Sequence, residues 1–447
     1  MRTQHNKTTM RKTTLYFTVR YALIALVFAA CAKNNDGKPD NGNAEKGGSG
    51  APAIEWQKTF DLGVVQSIQQ TTDGGYVFCV DNFKIVKLDP QGELQWQKQY
   101  GGLESTIYSE SPAAIRQTKD GGYIVVGFTT SDDGDVSGHH GGRDFWVVKL
   151  DNSGNLQWQK SLGGSMNDVA MDVQQTSDGG YVVVGYSESN DGDVSDRPDT
   201  ETSTWVVKLS NAGEMLWEKS FNNYDRTDEP SDWANSVQQT TDGGYILAGQ
   251  SYGRKNLMSQ ETTCWITKLT EDGTLEWGKT LGGSWGEEDA WSIQQTTDNG
   301  YIMGGYTYAN NGDVSGNHGY ADYWVVKMNN SGDVEWQKCL GGTGLEMGGR
   351  LQQTQDGGYI VVGSAASNNG NVSGYYGGEG GDAWLVKLDA EGKIQWQKCY
   401  GGTDEDGARA IQQTSDGGYI MAGYGRSVDG DVMRRIPNDC WIVKLKF

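Results

Sequence analysis

The sequence predicts an all-β protein, a seven-bladed β-propeller with four antiparallel strands per blade. Three repeated signatures carry that prediction. An Asp-Gly-Gly-Tyr turn begins at Asp73, Asp120, Asp178, Asp242, Asp356 and Asp416, with Asp298-Asn299-Gly300-Tyr301 as a variant. A Trp-Val-Val-Lys-Leu type run ends at Leu88, Leu150, Leu209, Leu269, Met328, Leu388 and Leu445. A Leu-Gln-Trp-Gln-Lys type run carries Trp56, Trp96, Trp158, Trp217, Trp277, Trp336 and Trp396. Seven strand-and-turn units, each unable to bury its apolar face alone, must stack into one closed body. The composition agrees: 65 Gly, 7 Pro, 16 Trp and 22 Tyr among 447 residues.

The third repeat shows how one unit makes a blade. Val169 to Thr176 reads as a first strand, and Ser177-Asp178-Gly179-Gly180 as a tight turn whose glycines supply positive φ. Tyr181 to Tyr186 is a short apolar run suited to a strand buried on both faces. After a polar stretch, Thr204 to Leu209 is the third strand, Ser210-Asn211-Ala212-Gly213 a hairpin loop, and Glu214 to Phe221 the fourth strand. The last repeat stops after its third strand, and one unpaired fourth-strand sequence stands at the start of the array. Pairing strand 54–60 with strand 440–446 closes the ring and hides two open sheet edges.

Thirteen of the sixteen Trp fall at the two repeated strand positions and are expected to be core; Lys84 replaces the third-strand Trp in the first blade. Gln70, Gln117, Gln175, Gln239, Gln295, Gln353 and Gln413 recur at the end of every first strand. A buried amide needs partners, so they either hydrogen-bond across blade interfaces near the axis or line a channel there.

Residues 1–30 are of another kind: Arg2, Lys7, Arg11, Lys12 and Arg20 without an acid, then the apolar run Tyr21 to Ala30. This is the pattern of a secretory signal. Ala29-Ala30-Cys31 resembles the lipobox of bacterial lipoproteins, with Phe28 where that family usually has Leu. The resemblance implies cleavage before Cys31 and a diacylglycerol on its sulfur. Met10 is an alternative start. Residues 31–53, rich in Asn, Gly, Lys, Asp and Ser, cannot bury enough apolar surface to order themselves and read as a disordered tether to the propeller at 54–447. A plain secreted protein with a loose N-terminus is the alternative.

Removing residues 1–30 takes away five basic residues and no acidic one, deepening the formal charge from −21 to −26. That excludes phosphate-driven binding of nucleic acid and flat adsorption on an anionic bilayer, so the only expected membrane contact is the lipid on Cys31. Cys339 and Cys399 occupy the same place in successive repeats, and Cys264 and Cys440 in more distant ones. Equivalent sites sit too far apart for a bridge, so no structural disulfide is expected.

Alternate connections fall on opposite ends of antiparallel blades. The long loops, between second and third strands and between blades, share one face of the disk, and any binding site is expected there. Six residues before each Gln pair lie Glu110, Asp168, Asp232, Glu288, Glu346 and Asp406, with Gly63 in the first blade. They could ring a channel mouth and hold Ca²⁺, or each could cap its own Gly-rich turn. Loops such as Asn190-Asp191-Gly192-Asp193 hold a fragment of a calcium loop without its closing Glu, and read equally as plain turns. His140 and His318 occupy equivalent loop positions, too far apart for a joint metal site. Trp233, Trp285 and Trp291 lie outside the repeated positions, in neighbouring blade connections, as exposed ligand-gripping aromatics or as buried loop staples.

The combined pattern, seen at residues 161–186 and 144–158, resembles the SBBP-type β-propeller repeat of bacterial lipoproteins over essentially all of 54–447. The hairpin Lys-Leu-Asp-x-x-Gly-x-Leu-x-Trp is similar to quinoprotein propeller repeats, but only locally. The first resemblance implies a propeller used for binding or display, without shared catalytic residues. With the signal and Cys31, the expectation is a monomeric, non-catalytic module lipid-anchored in the bacterial cell envelope at the outer membrane, periplasmic or surface-exposed, with a glycan or protein as ligand and no cofactor. A structural subunit of an envelope complex is the second reading. An enzyme such as a glycan hydrolase is the third: the sequence offers no Ser/His/Asp set, no Cys/His metal spacing and no phosphate loop.

Overall fold

The computed structural model describes residues 50–447 apart from 104–108, 196, 198–201, 223–227, 257–258, 285, 379 and 433–438. The expected signal sequence, Cys31 and most of the expected tether therefore lie outside the described residues. Twenty-eight strands form seven four-stranded antiparallel sheets, and six of these run in chain order from first strand to fourth. The seventh places Ala53–Phe60 beside Asp439–Lys446, with Thr59 opposite Trp441 and Phe60 opposite Cys440. The ring is thus closed as the sequence predicts. The lock is also chemical: Trp441 Nε1 donates to Gln57 Oε1 at 2.8 Å. Ordered contacts begin before residue 53, since the Tyr400 hydroxyl donates to the Pro52 carbonyl at 2.7 Å.

The second strands are apolar because neighbouring blades cover both their faces; Tyr181–Ser187 and Tyr359–Ala365 are buried along their full length. The third-strand Trp residues are core, with Trp146, Trp205 and Trp384 fully buried. The fourth-strand Trp residues differ from expectation. Trp56, Trp96, Trp158, Trp217, Trp277 and Trp336 are only half-buried; Trp396 alone is buried. Each sits on the outermost strand, where one side of the indole meets water. The other side packs edge-on against the second-strand Tyr of the following blade, from Trp56–Tyr76 to Trp396–Tyr419, with centroids 5.5–6.0 Å apart and planes at 63–69°. The same indole lies under the hairpin glycine of that blade: a Cβ on Gly213 (φ +80°) would stand 3.0 Å from Trp158. These residues fasten blade to blade at the rim.

A second inter-strand device went unread in the sequence. The Lys of every third strand is buried, and its Nζ meets the Asp of its own blade's Asp-Gly-Gly-Tyr turn at 2.8–3.0 Å, from Lys87–Asp73 to Lys444–Asp416. The ammonium also donates to the carbonyl of the residue after it, as in Lys149 to Leu150. A buried charge persists only when paired and hydrogen-bonded. The joint recurrence of one Lys in an apolar strand and one Asp in the turn was the available signal. The five described cysteines are buried, and no disulfide forms among the described residues.

Candidate functional site

The seven first strands surround the axis, and their ends carry two belts of glutamine. The second Gln of each pair accepts from a backbone N–H in the preceding blade's turn: Thr72 donates to Gln117, Lys119 to Gln175 and so on to Ser415, which donates to Gln70, all at 2.7–3.0 Å. The first Gln accepts from the next blade's strand, as Gln117 N–H donates to Gln69 and Gln70 N–H to Gln412. Blade two has Arg116 at that position; it donates to Ser67 Oγ and pairs with Asp172 at 2.8 Å. Of the two sequence readings, cross-blade bonding is the one these partners satisfy.

A few residues nearer the long-loop face, every first strand carries a β-bulge. The register slips by one at the same place in all seven blades. A bulge leaves one residue unpaired and re-aims its side chain. The residues passed over are Gln66, Ala113, Met171, Asn235, Trp291, Gly349 and Arg409, seven different residues in a chain that otherwise repeats itself. Gln66, Met171, Trp291 and Arg409 are partly exposed.

Trp291 lies inside the first strand Glu288–Gln295 rather than in the preceding connection. Its Nε1 donates to Asp289 Oδ2 at 2.9 Å, and Asp289 Oδ1 accepts from Asn235 of blade four at 2.9 Å. Its ring meets Tyr306 at 5.8 Å and 90°. Tyr306 shares a face of its strand with Gly304, and a Cβ on Gly304 would point at Gly349 of blade six. The indole is therefore held between Asp289 and Tyr306 of its own blade, and Asp289 in turn ties it to Asn235 of blade four. Arg409 bonds across to the following blade, its Nη1 donating to Gln66 Oε1 of blade one at 3.0 Å. In blade six, position 349 must be glycine. Its φ is +99°, and a Cβ there would stand 2.2 Å from the Gly305 carbonyl.

The other predicted positions take different places. Glu110, Asp168, Asp232, Glu288, Glu346 and Asp406 are all buried, at most 1 % exposed. Asp168 accepts from Gly164 N–H and Ser189 Oγ, Glu346 from the Gly342 and Ala366 N–H groups, and Asp406 from Gly402 N–H and Ser427 Oγ. Glu110 and Glu288 accept from Thr129 and Thr307. These are the bonds of the turn-capping reading, and among the described residues no group of three or more His, Cys, Asp or Glu could hold a metal ion. The Asx-Gly-Asp loops behave alike: Ser165 N–H donates to Asp191 Oδ1, Gly163 N–H to Asp193 Oδ2, and Asp193 N–H back to the Gly163 carbonyl. Their oxygens latch the loop onto the Gly-Gly connection that leads from the preceding blade into their own.

His140 and His318 each put backbone N–H and Nδ1 on the buried Asp that opens their own third strand, Asp144 at 2.9 Å and Asp322 at 2.6 Å by the ring. They are clamps within separate blades. The Asp322 hydrogen bond raises the His318 pKa above its ordinary value. Behind the clamps, the third-strand Asp and the next blade's first-strand acid face the same glycine. Asp322 Oδ1 and Glu346 Oε2 lie 2.4 and 2.7 Å from a Cβ built on Gly341, and Asp382 Oδ1 and Asp406 Oδ2 are 2.6 and 2.9 Å from one on Gly401. Burial pushes Glu346 and Asp382 up to about 7 and Asp168 to about 6. Trp233, expected in a blade connection, is half-buried within the first strand Asp228–Gln239, opposite Gln250, and Trp285 lies outside the described residues.

No family model matches the chain, and no curated protein is similar to it in sequence. Solved structures share its architecture. The WD40 β-propeller domain of Doa1 is similar with a TM-score of 0.51 at 9% identity, over 89% of this chain and 97% of that one. BamB from Moraxella catarrhalis is similar with a TM-score of 0.42 at 12% identity, over 89% of this chain and 100% of that one. A protein of unknown function from Bacteroides caccae gives 0.39 at 12% identity, over 77% and 97%. At such identity the likeness to the Doa1 domain shows the fold alone, and with the seven four-stranded sheets the chain is a seven-bladed β-propeller.

Proposed function

We propose that this protein is a lipid-anchored envelope protein whose propeller is a non-catalytic binding module, taking a glycan or protein ligand at the long-loop end of its axis. One observation carries the location. Where the seven copies agree, as in the Gln belts, the Lys–Asp pairs and the Trp–Tyr contacts, the side chains are consumed in building the ring. At the bulge they all differ, and there Trp291, Arg409, Met171 and Gln66 keep exposed surface at the axis. Loops and bulges on a rigid frame are where recognition is placed. The six first-strand carboxylates are buried and accept from N–H and O–H groups of their own loops, so as acid/base pairs they lack access to substrate.

A glycan array combined with a pull-down from envelope membranes tests the reading. Retention of a glycan or protein by the wild-type protein and its loss on Trp291→Ala are expected. Retention indifferent to Trp291 moves the site off the axis, and stoichiometric capture of one envelope protein through the disk face favours the structural-subunit reading. Anchoring is tested separately. Cys31→Ser should shift the protein from the membrane to the soluble fraction, and a variant that stays membrane-bound refutes the lipid at Cys31.

A further inference from the structure

We propose that Asp382 of blade six and Asp406 of the closing blade hold one proton between them, and that losing it loosens the seam beside which the ring is closed. The inference stands apart from the axial reading and concerns how the ring is held shut.

An unpartnered oxygen carries it. Asp382 and Asp406 are both fully buried, on the third strand Asp382–Leu388 and the first strand Asp406–Gln413 of adjoining blades. A Cβ built on Gly401 would stand 2.6 Å from Asp382 Oδ1 and 2.9 Å from Asp406 Oδ2, so the two oxygens face the same small space. Asp382 Oδ2 accepts from Tyr376 N–H, while Oδ1 has no hydrogen-bond partner among the described residues. Asp406 already accepts from Gly402, Arg426 and Ser427. Two buried carboxylates so placed repel, which disfavours charging both. A proton on Asp382 Oδ1, donated to Asp406 Oδ2, removes one charge and satisfies the orphan oxygen in a single bond.

The surroundings do not replace that proton. In blades two and five the equivalent Asp144 and Asp322 receive an imidazole, from His140 and His318. In blade six Tyr376 stands in that place, and its hydroxyl donates to Asp431 at 3.2 Å instead. Asp431 adds a further negative charge, and Arg426 turns its guanidinium to Glu405. Cys399 and Tyr375, beside Asp382, have their own pKa values pushed up by burial and stay neutral. Burial, then the charges of Asp406 and Asp431, push Asp382 up to about 7, and burial raises Asp406 as well.

The seam is tied to the closure. Asp431 N–H donates to the Gly401 carbonyl at 2.7 Å, and the Asp431 carbonyl accepts from Gln57 Nε2 of the closing strand at 2.6 Å. Because the carboxyl pKa values are raised, the pair's contribution is complete below the unfolded value near ~4 and is lost as pH rises through about 7. The proton then leaves to solvent, and two like charges push blade six from blade seven.

Hydrogen exchange of the full-length protein tests this, read by mass spectrometry at about pH 6 and about pH 9 and scaled for the intrinsic pH dependence. Protection of the peptide over 401–406, which holds the Gly402 N–H bonded to Asp406, should fall at least about tenfold. The peptide around Gly282 is the control, because there Glu288 faces the Thr263 methyl rather than a second acid, and its protection should fall less than about twofold. Asp382→Asn, whose amide can donate to Asp406 at either pH, should abolish the fall at 401–406. If that variant does not fold, Asp406→Asn removes the same repulsion and should do likewise; if neither folds, the wild-type contrast alone decides. Equal protection at the two pH values, an equal fall around Gly282, or a fall that persists in a folded Asn variant overturns the inference.

Discussion

The glutamine belts and the bulge ring lie a few residues apart on the same seven strands, yet they obey opposite rules. In the belts the same amide recurs, and its oxygen is spent on a backbone N–H of the adjoining blade. At the bulge no residue type recurs, and the passed-over residue is left out of the ladder. Repetition marks what the ring needs from every blade. Departure from it marks what the ring is free to use for something else.

The contrast can be broken at several levels. Deleting residues 53–60 removes the outer strand of the closing blade together with the Gln57–Trp441 bond, and should cost several kcal/mol, on the order of a whole domain's ~5–15 kcal/mol. A deletion variant melting like wild type in calorimetry would refute the closure. At the rim, Trp158→Ala loses the Tyr181 contact and half-buried apolar area, and about 2–3 kcal/mol by urea denaturation is expected. Gln175→Ala leaves Lys119 N–H without its acceptor, for about 1 kcal/mol. Trp291→Ala should cost no more than that, because bulge residues serve the frame least; a loss matching Trp158→Ala would make Trp291 a structural staple instead.

Acidity sharpens the comparison between the two faces. On the long-loop face, Glu346 and Asp382 have pKa values raised to about 7, so their stabilising contribution is complete below the unfolded carboxylate value and is lost as pH rises through about 7. On the short-turn face, burial works upward on Asp120 and Asp178, but bonds from Thr118 and Lys149, and from Lys208 and Thr176, outweigh it and hold both at about 2. Their contribution is present above the unfolded value near ~4 and is lost as pH falls toward 2. Melting temperature should therefore rise from pH 8 to about 5.5 and fall below about 4. Asp382→Asn, which cannot ionise, should flatten the upper limb, and an unchanged slope would assign that limb elsewhere.

The repeat count, the four strands per blade and the closing pair were all legible, because they follow from patterns that recur seven times. The half-exposure of the fourth-strand Trp was not, since an outermost strand and a buried one carry the same aromatic signature. The bulge was hidden for a different reason. Hydrophobic alternation places Trp291 just ahead of the apolar run and suggests a connection, while the extra residue becomes visible only when Ala290 and Ser292 are seen opposite adjacent partners, Gly305 and Gly304. His140 and His318 looked available because their loops are polar; the buried Asp four residues on decides their role.

The joint between Gln57 and Trp441 spans 384 residues of chain. A strand made among the earliest must wait, unpartnered, for one made among the last. Contacts of such long sequence separation form slowly, so the lock should be the late event in folding, with a bare sheet edge awaiting its mate until then. A protein built this way has reason to be chaperoned until the ring closes, at the one moment when it resembles an unfinished fibril.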